Sequence, residues 1–388
     1  MVEETRPTSP LPLPMIFTPH PVIGLSPEAL DKYIVGDDPE TGKPVIQEII
    51  DVLTRPVTMS QPAGAIPSTA KAAPIQTMLG PDTEDNLQRL FYERGWTDGL
   101  PIILPTEERV KKMLAGTCAK PEEIVSESFL IDTREIVKHT VSSLAVIAVM
   151  AGARPEYFPV ILGIAATRQS SLMPSTTPFE AMVLVNGPIR KEIGMNCGIG
   201  AFSAVNMANS VIGRAWTLMS ICWGYAKPRV TLWSSQGNNH TYNNMCAAEN
   251  EERSVWEPFH VTKGFRAEES VVSVFRGWAM VNSYGAASKR SLTEELSYQL
   301  AIMPPMRSAA TIIMDPLVAK NLKENEGFAT KQDFTRHLSK NIKMTAGQYW
   351  KTDHIDMLVA SEAYKGVEPY ASWKKLPDES LIAPYDKP

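Results

Sequence analysis

The chain has 388 residues, of which 44% are hydrophobic and 21% charged, and its formal net charge is −5. This composition is typical of a soluble globular protein, and the length suffices for about two to three compact units. The acidic balance argues against a broad basic surface for nucleic acid or anionic lipid. The longest apolar run, Ser143 to Gly152, has about ten residues, which is too short to cross a bilayer of about 30 Å as a helix.

The cysteines and the N-terminus predict a cytoplasmic protein. The four cysteines lie far apart and form no C-x-x-C pair, which disfavours a disulfide framework and a zinc ribbon. The N-terminus is acidic at Glu3 and Glu4 and does not have the basic and apolar regions of a signal peptide.

Residues 1–80 are rich in proline and are expected to form an N-terminal extension to a main body over 81–388. Proline fixes φ and removes a hydrogen-bond donor, so an extended path along a surface is predicted. Two short helices should interrupt it, one capped by Ser26 and one over 45–53. Residues 59–73 resemble a linker or a strap. This Pro-rich arm could hold a partner subunit, cover its own core or remain a free tail.

The main body alternates helical and strand patterns. Helices are predicted over residues 82–94, 133–151, 155–167 and 209–223. One further helix should begin at residue 105, and another should end near residue 342. Strands are predicted over residues 102–104, 181–185, 270–275 and 309–314. Residues 181–223 read as strand, glycine-rich turn and helix, which is an α/β unit. The fold class is therefore α/β or α+β, with a mixed sheet and packed helices.

The segment from Cys246 to His260 concentrates residues with acid–base or metal-binding chemistry. Glu249 and Glu252 are candidates for the acid and the base, and His260 is a candidate proton carrier, with Asn250 as a substrate contact. Cys246 is a candidate nucleophile, although nothing basic precedes it closely, and this favours a buried packing role. A solvated acidic loop held by aromatic residues is the alternative interpretation of the whole segment.

A divalent metal is a second interpretation of the same segment. Its ligands would be His240, Glu249, Glu252 and His260. The sequence carries no H-x-x-E-H or H-x-H spacing to support them. A metal cofactor therefore stays an alternative.

Two further places are candidates for substrate binding. Backbone amides near Asn186-Gly187 and near Asn196-Cys-Gly198 could hold an anion, or these glycines could serve tight packing. Arg214 on the following helix could bind a substrate carboxylate or pair with a structural glutamate. Thr97 and Asp98 lie in a turn where they could bind substrate or cap the backbone.

Several motifs together resemble one family. They are Gly95-Trp-Thr-Asp-Gly-Leu-Pro, Arg154-Pro-Glu-Tyr, Val185-Asn-Gly-Pro-Ile, Ile212-Gly-Arg, Cys246-Ala-Ala-Glu-Asn-Glu-Glu and Trp256-Glu-Pro-Phe-His. In this order, over roughly residues 90 to 345, the chain resembles a poorly characterised bacterial family similar to the large domain fused to, or encoded beside, a small thiol or selenol domain with a U/C-G-S-C motif. Residues 16–53 resemble the tail of that small domain, but the C-G-S-C motif itself is not in this chain.

The resemblance implies that a separate CGSC- or UGSC-type subunit docks on the N-terminal arm and supplies the thiol or selenol pair. A paired thiol is a good nucleophile and two-electron donor because its second sulfur can resolve the first adduct. By analogy with glycine-reductase-type systems, this implies a hetero-oligomeric oxidoreductase or lyase acting on a small polar metabolite. A metal-dependent hydratase or hydrolase that acts alone, as a homo-oligomer or otherwise, and a non-catalytic scaffold or binding subunit are the alternatives.

Overall fold

The computed structural model describes residues 16, 25–39, 41–54, 79–130, 135–173, 179–223, 232, 234, 237–277, 280–281, 291–303, 305 and 310–386. The predicted linker at 59–73 lies outside these residues. Helices and strands are both present, in small mixed sheets with packed helices, and this confirms the predicted fold class.

The helices, in chain order, are α1 (Pro27–Val35), α2 (Val45–Thr54), α3 (Glu84–Glu93), α4 (Glu107–Leu114), α5 (Val141–Ala151), α6 (Phe158–Ala166), α7 (Ile189–Glu192), α8 (Met207–Cys222), α9 (Leu292–Ile302), α10 (Pro316–Glu324), α11 (Lys331–Asn341), α12 (Ala346–Trp350), α13 (Asp353–Tyr364) and α14 (Tyr370–Trp373). The strands are β1 (Ile124–Leu130), β2 (Glu135–Thr140), β3 (Glu180–Asn186), β4 (Met245–Ala248), β5 (Val271–Gly277), β6 (Met344–Thr345) and β7 (Leu381–Ile382). None of the helices in the described part of the chain is long and apolar enough to cross a membrane.

Contacts divide the chain into two units. The first contains the described residues of 1–79, 283–312 and 332–388, and the second contains those of 80–282 and 313–331. Residues of the expected body contribute to both units.

The second unit contains a three-stranded sheet in the order β4-β3-β5. Strands β3 and β4 are parallel, and their pairing ends with Val185 opposite Ala248. Strands β3 and β5 are antiparallel, with Asn186 opposite Val271. Helix α8 lies in the connection between the two parallel strands and contacts β4. The carboxyl ends of β3 and β4 therefore lie at the same edge of the sheet, the edge at which α/β proteins commonly bind ligands.

Close packing of α8 fixes the position of β4. The helix is apolar on most sides, and its Ile212, Trp216 and Leu218 are fully buried. At Gly213 a Cβ atom would lie 1.7 Å from the carbonyl oxygen of Asn243, which precedes β4. Only glycine allows the helix and this segment to approach so closely.

Several predicted elements of the second unit are confirmed. Helix α3 begins after Thr83, whose side chain caps the amide of Asn86, and helix α5 begins with a capping box formed by Thr140 and Ser143. The strand predicted over 181–185 and the helix over 209–223 correspond to β3 and α8. Asp315 caps α10, as its position before a proline indicates.

Three predictions of secondary structure are wrong. Residues 135–140 begin the predicted helix 133–151 but form β2, which pairs with β1, a strand that the sequence pattern did not reveal. Residues 102–104 form no strand, because the amide of Ile103 binds the carbonyl of Met150 and the backbone of Ile102 binds the side chain of Gln88. Residues 310–314, the described part of the predicted strand 309–314, are irregular.

The first unit has its own aromatic core. Tyr349 and Ile355 are fully buried there, together with Val359 and Tyr370. The two helices predicted in the N-terminal extension are α1, capped by Ser26, and α2. The helix predicted to end near residue 342 is α11, which ends at Asn341.

Candidate functional site

A cluster of three glutamates lies at the carboxyl ends of β3 and β4. Asn186 ends β3, and Glu249 follows β4 directly, with its amide bonded to the carbonyl of Val185. Glu251 and Glu252 follow in the turn after Glu249. The parallel pairing of the strands therefore brings residues about 60 positions apart in sequence into direct contact.

Glu251 is held by three donors around its carboxylate. Its Oε1 accepts from Asn186 Nδ2 at 2.9 Å and from the amide of Gly187 at 2.8 Å, and its Oε2 accepts from Arg190 at 2.9 Å. Burial opposes the charged form, but the hydrogen bonds from Arg190, Gly187 and Asn186 outweigh burial and lower the pKa of Glu251. Glu251 is therefore a carboxylate near neutral pH.

Gly187 can donate to Glu251 because of its backbone conformation. Its φ is +82°, and a Cβ atom would lie 2.2 Å from the carbonyl oxygen of Glu269. A residue with a side chain would clash there and would adopt a disfavoured conformation. The backbone amide expected to bind a substrate anion thus binds a carboxylate of the protein itself.

Arg190 binds two of the glutamates through its guanidinium group. Its side chain is 4% exposed and donates to Glu252 at 2.9 and 2.5 Å, as well as to Glu251. The hydrogen bonds from Arg190 and then from Lys191 hold the pKa of Glu252 at about 2, against a small opposing effect of burial. Burial would lower the pKa of Arg190, yet the two glutamates raise it.

Glu249 is held by a residue from a distant segment. Lys331 donates to its Oε1, while Asn186 Nδ2 and the amide of Phe259 each donate to its Oε2 at 2.6 Å. Asn186 therefore bridges Glu249 and Glu251 through one amide nitrogen. Because both partners are acceptors, this fixes which side of the Asn186 amide is nitrogen and which is oxygen.

His260 lies beside this cluster and is fully buried. Its Nδ1 is 4.0 Å from Oε1 of Glu251. Neither ring nitrogen has a hydrogen-bond partner among the described residues, and the same holds for Oδ1 of Asn186 and Nε of Arg190. Buried polar atoms are nearly always paired, so each of these four atoms can bond to water or to a small polar ligand.

The remaining candidates for chemistry lie elsewhere. Cys246 is inside β4 against Gly213, where burial raises the pKa of its thiol to about 12, so almost none of it is a thiolate at neutral pH. His240 lies on a short 3-10 helix before β4, at the opposite end of that strand from Glu249. The structure therefore does not bring His240 together with Glu249, Glu252 and His260.

Asp98 and Arg214 contact each other rather than the cluster, and Thr97 bonds within its own turn. Arg214 donates from two nitrogens to the carboxylate of Asp98, at 2.8 and 3.0 Å, and to the carbonyl of Pro101 at 2.8 Å. Oγ1 of Thr97 accepts from the amide of Gly99. In this structure these contacts connect the turn at 97–101 to α8.

Asn196, Gly198 and Asn250 occupy loops near the ends of α7 and β4. The side-chain amide of Asn196 accepts from the amide of Gly198 and donates to Ile199 and Asn206, so it organises the loop before α8. Asn250 lies half-buried between Glu249 and Glu251. The glycine-rich loop thus uses its own polar groups internally.

Sequence reasoning missed three members of the cluster: Glu251, Arg190 and Lys331. Glu251 stood in the same acidic segment, but no pattern distinguished it from its neighbours. Arg190 follows the predicted strand by five residues, and this position could have identified it, because residues after a parallel strand face the same edge. No local signal connects Lys331 to Glu249, since 82 positions separate them.

No group of three or more histidine, cysteine, aspartate or glutamate side chains is arranged for a metal ion within the described residues. Comparisons with protein families, curated proteins and solved structures found no match to this chain.

Proposed function

We propose that this chain is the large subunit of a thiol- or selenol-dependent oxidoreductase or lyase, and that His260 transfers protons to and from a small polar metabolite. The single observation that carries the proposal is the environment of His260. Its imidazole is fully buried, lacks a hydrogen-bond partner among the described residues and lies beside Glu251, which follows the carboxyl end of β4.

An imidazole with a free nitrogen is suited to proton transfer near neutral pH. When His260 accepts a proton, the carboxylate of Glu251 at 4.0 Å stabilises the resulting imidazolium. Glu251 itself is kept ionised by three donors, so it acts through its charge. In this proposal His260 transfers the proton, and Glu251 stabilises the charge that results.

Glu249 and Glu252, the expected acid and base, have a different role in this proposal. Glu252 carries a pKa of about 2 and is a poor acid or base at neutral pH. Glu249 accepts three hydrogen bonds. Both residues form a charged frame with Arg190 and Lys331 that positions Asn186 and Glu251 around His260.

The substrate is expected to be small and polar. The unpaired atoms beside Glu251 comprise a donor on Arg190, an acceptor on Asn186 and the two ring nitrogens of His260. A metabolite with both carbonyl or carboxylate oxygens and a hydroxyl or amino group matches this set. Binding would satisfy atoms that are otherwise costly to bury.

The proposal of a thiol from a partner subunit is consistent with the raised pKa values of the two buried cysteines. Burial raises the pKa of both Cys222 and Cys246 to about 12, so neither is a nucleophile at neutral pH in this structure. The sequence resemblance to UGSC-associated large domains supports a small partner that carries the thiol or selenol pair. The N-terminal arm is the proposed docking segment for it.

The test is a proton-exchange measurement that does not need the partner. The full chain is incubated in D₂O with a panel of α-amino, α-hydroxy and α-keto acids. Loss of the α-proton signal of the amino and hydroxy acids, and of the β-proton signal of the keto acids, is followed by ¹H NMR. At least one compound should exchange, and His260→Gln should slow that exchange about 100-fold or more, as expected for removal of a general base. Adding dithiothreitol in place of the partner thiol should then give net turnover of the same compound.

A matched control is His337→Gln, because His337 is exposed on α11. This variant should exchange protons at the wild-type rate. Exchange by His260→Gln at the wild-type rate, in a variant with an unchanged circular dichroism spectrum, would remove His260 from the proposed role. Absence of exchange with every compound would contradict the substrate class.

A further inference from the structure

The hairpin of β1 and β2 has an unusual buried face. Ser126, Ser128 and His139 are 1%, 4% and 6% exposed. Glu127 and Lys138, on the opposite face, lie opposite each other in the register and are exposed. A hairpin that covers a core normally turns apolar side chains inward, so this polar inner face calls for a reason other than packing.

Ser128 and His139 form a direct pair on this face. Oγ of Ser128 is 2.8 Å from Nε2 of His139, and both side chains are buried. In the register His139 lies opposite Ser126, so it reaches Ser128 diagonally. A hydroxyl in hydrogen-bond contact with an imidazole nitrogen is the arrangement that activates a serine nucleophile.

Trp223, at the end of α8, holds the imidazole in place. The two rings are stacked, with centroids 4.2 Å apart and planes within 10° of parallel. Burial lowers the pKa of His139 to about 4, so the ring is neutral at pH 7 and retains a lone pair. The base is therefore oriented and unprotonated, as a serine–histidine pair requires.

We infer that Ser128 and His139 form a nucleophilic dyad that accepts an acyl group from small activated esters or thioesters. Oγ of Ser128 attacks the acyl carbon while its proton passes to Nε2 of His139. The bond to the leaving group breaks, and the leaving group takes that proton. Water then cleaves the acyl-serine, releases the carboxylic acid and returns a proton to Oγ through the same nitrogen.

The geometry limits the substrates of this dyad. Exposures of 4% and 6% leave only a narrow approach, so the acyl group must be small. An imidazole with a depressed pKa is a weak base and favours leaving groups that need little protonation. Thiolates and phenolates meet this condition, whereas amines do not.

The test uses a fluorophosphonate probe on the intact chain. Attack by Oγ forms a serine–phosphorus bond and expels fluoride, with the proton leaving through His139, so the adduct reports the first step alone. Tandem mass spectrometry should locate the adduct on Ser128 in the folded protein and find none after heat denaturation. The protein should also hydrolyse 4-nitrophenyl acetate.

The variants separate the dyad from other buried serines. Ser128→Ala should abolish labelling, and His139→Gln should slow it about 100-fold or more. Ser171→Ala should label like the wild type, because Ser171 is buried against Ser220 rather than against a histidine. His337→Gln should also label normally, because His337 is exposed on α11. Labelling of Ser128 does not involve His260, so failure of the dyad and failure of the proposed function are distinguishable.

Two results would overturn the inference. One is the absence of an adduct on Ser128 in the folded wild-type protein, which needs no variant to interpret. The other is labelling of His139→Gln at the wild-type rate.

Discussion

Replacing Arg190 by methionine tests whether the glutamate cluster depends on one buried cation. Methionine keeps much of the side-chain volume and removes the charge. The guanidinium makes one bond to Glu251, which is 12% exposed, and two to Glu252, which is 42% exposed and keeps its contact with Lys191 at 2.6 Å. Loss of the cation therefore affects Glu251 most.

The expected loss follows from these contacts. A hydrogen bond between charged groups contributes about 1.5 to 3 kcal/mol when it is shielded from water, which applies to Glu251. The two bonds to the exposed Glu252 add about 1 kcal/mol together after screening. Arg190→Met should lower the free energy of unfolding by about 3 kcal/mol, at the lower end of the range for broken buried pairs.

Urea denaturation, followed by tryptophan fluorescence and by circular dichroism, measures this change. Arg154→Met is the control, because Arg154 is 57% exposed and pairs with Glu156 only at 3.9 Å; it should change the free energy of unfolding by less than about 0.5 kcal/mol. A loss below about 1 kcal/mol for Arg190→Met would refute the reasoning.

The difference between Arg190→Met and the wild type should depend on pH. Bonding to Arg190 lowers the pKa of Glu252 from 4.5 to about 2 in the folded protein, so its contribution to stability is complete above pH 4.5. It is lost as the pH falls from 4.5 towards 2. The wild type should therefore lose in that window the part of its advantage that Glu252 provides, about 1 kcal/mol, and a difference that stays constant down to pH 2.5 would contradict the assignment.

Three other changes give direct checks. Gly187→Ala should cost more than about 2 kcal/mol in urea denaturation, because it adds a clash with Glu269 to left-handed backbone strain; a loss below 1 kcal/mol would mean that the loop moves freely. Ellman's reagent should react with the exposed Cys118 in the folded protein and with Cys246 only after unfolding; rapid reaction of Cys246 would contradict its burial. Thr140→Ala should lower the stability by about 1 kcal/mol through loss of the cap of α5, and an unchanged urea midpoint would show that the capping box contributes nothing.

The sequence was sufficient for elements whose signals are local. The cap at Ser26 located the start of α1, because a side chain that binds a nearby amide acts within a few residues. The run from Ala181 to Val185 identified β3, since a buried strand flanked by two others is apolar throughout.

Elements that depend on a distant partner were not predicted. Residues 135–140 fit the apolar pattern that continues into α5, and only pairing with β1 makes them a strand. Residues 102–104 are apolar, but their backbone binds a side chain and a helix end, so they join no sheet.

In the candidate site too, the features with a local signal were predicted and those that depend on distant contacts were not. The acidic segment was identified from composition, yet composition could not tell Glu251, with its buried pairing to Arg190, from Glu252, which is half exposed. His260 was identified by its chemistry, but its burial without a partner became visible only in the folded chain.

The glutamate cluster is complete only after Lys331 has been synthesised, because Lys331 donates to Glu249. Three contacts bring the segment 313–331 back to the acidic turn: Lys323 to the carbonyl of Val255, Trp256 to the carbonyl of Phe328, and Lys331 to Glu249. On a ribosome, β3, β4 and the three glutamates emerge about 80 residues before this last cation. Until then Glu249 is without its lysine, and a nascent chain or a fragment that stops before residue 313 contains the sequences of β3 and β4 but not Lys331. Completion of the cluster is therefore a late event in the biosynthesis of the protein.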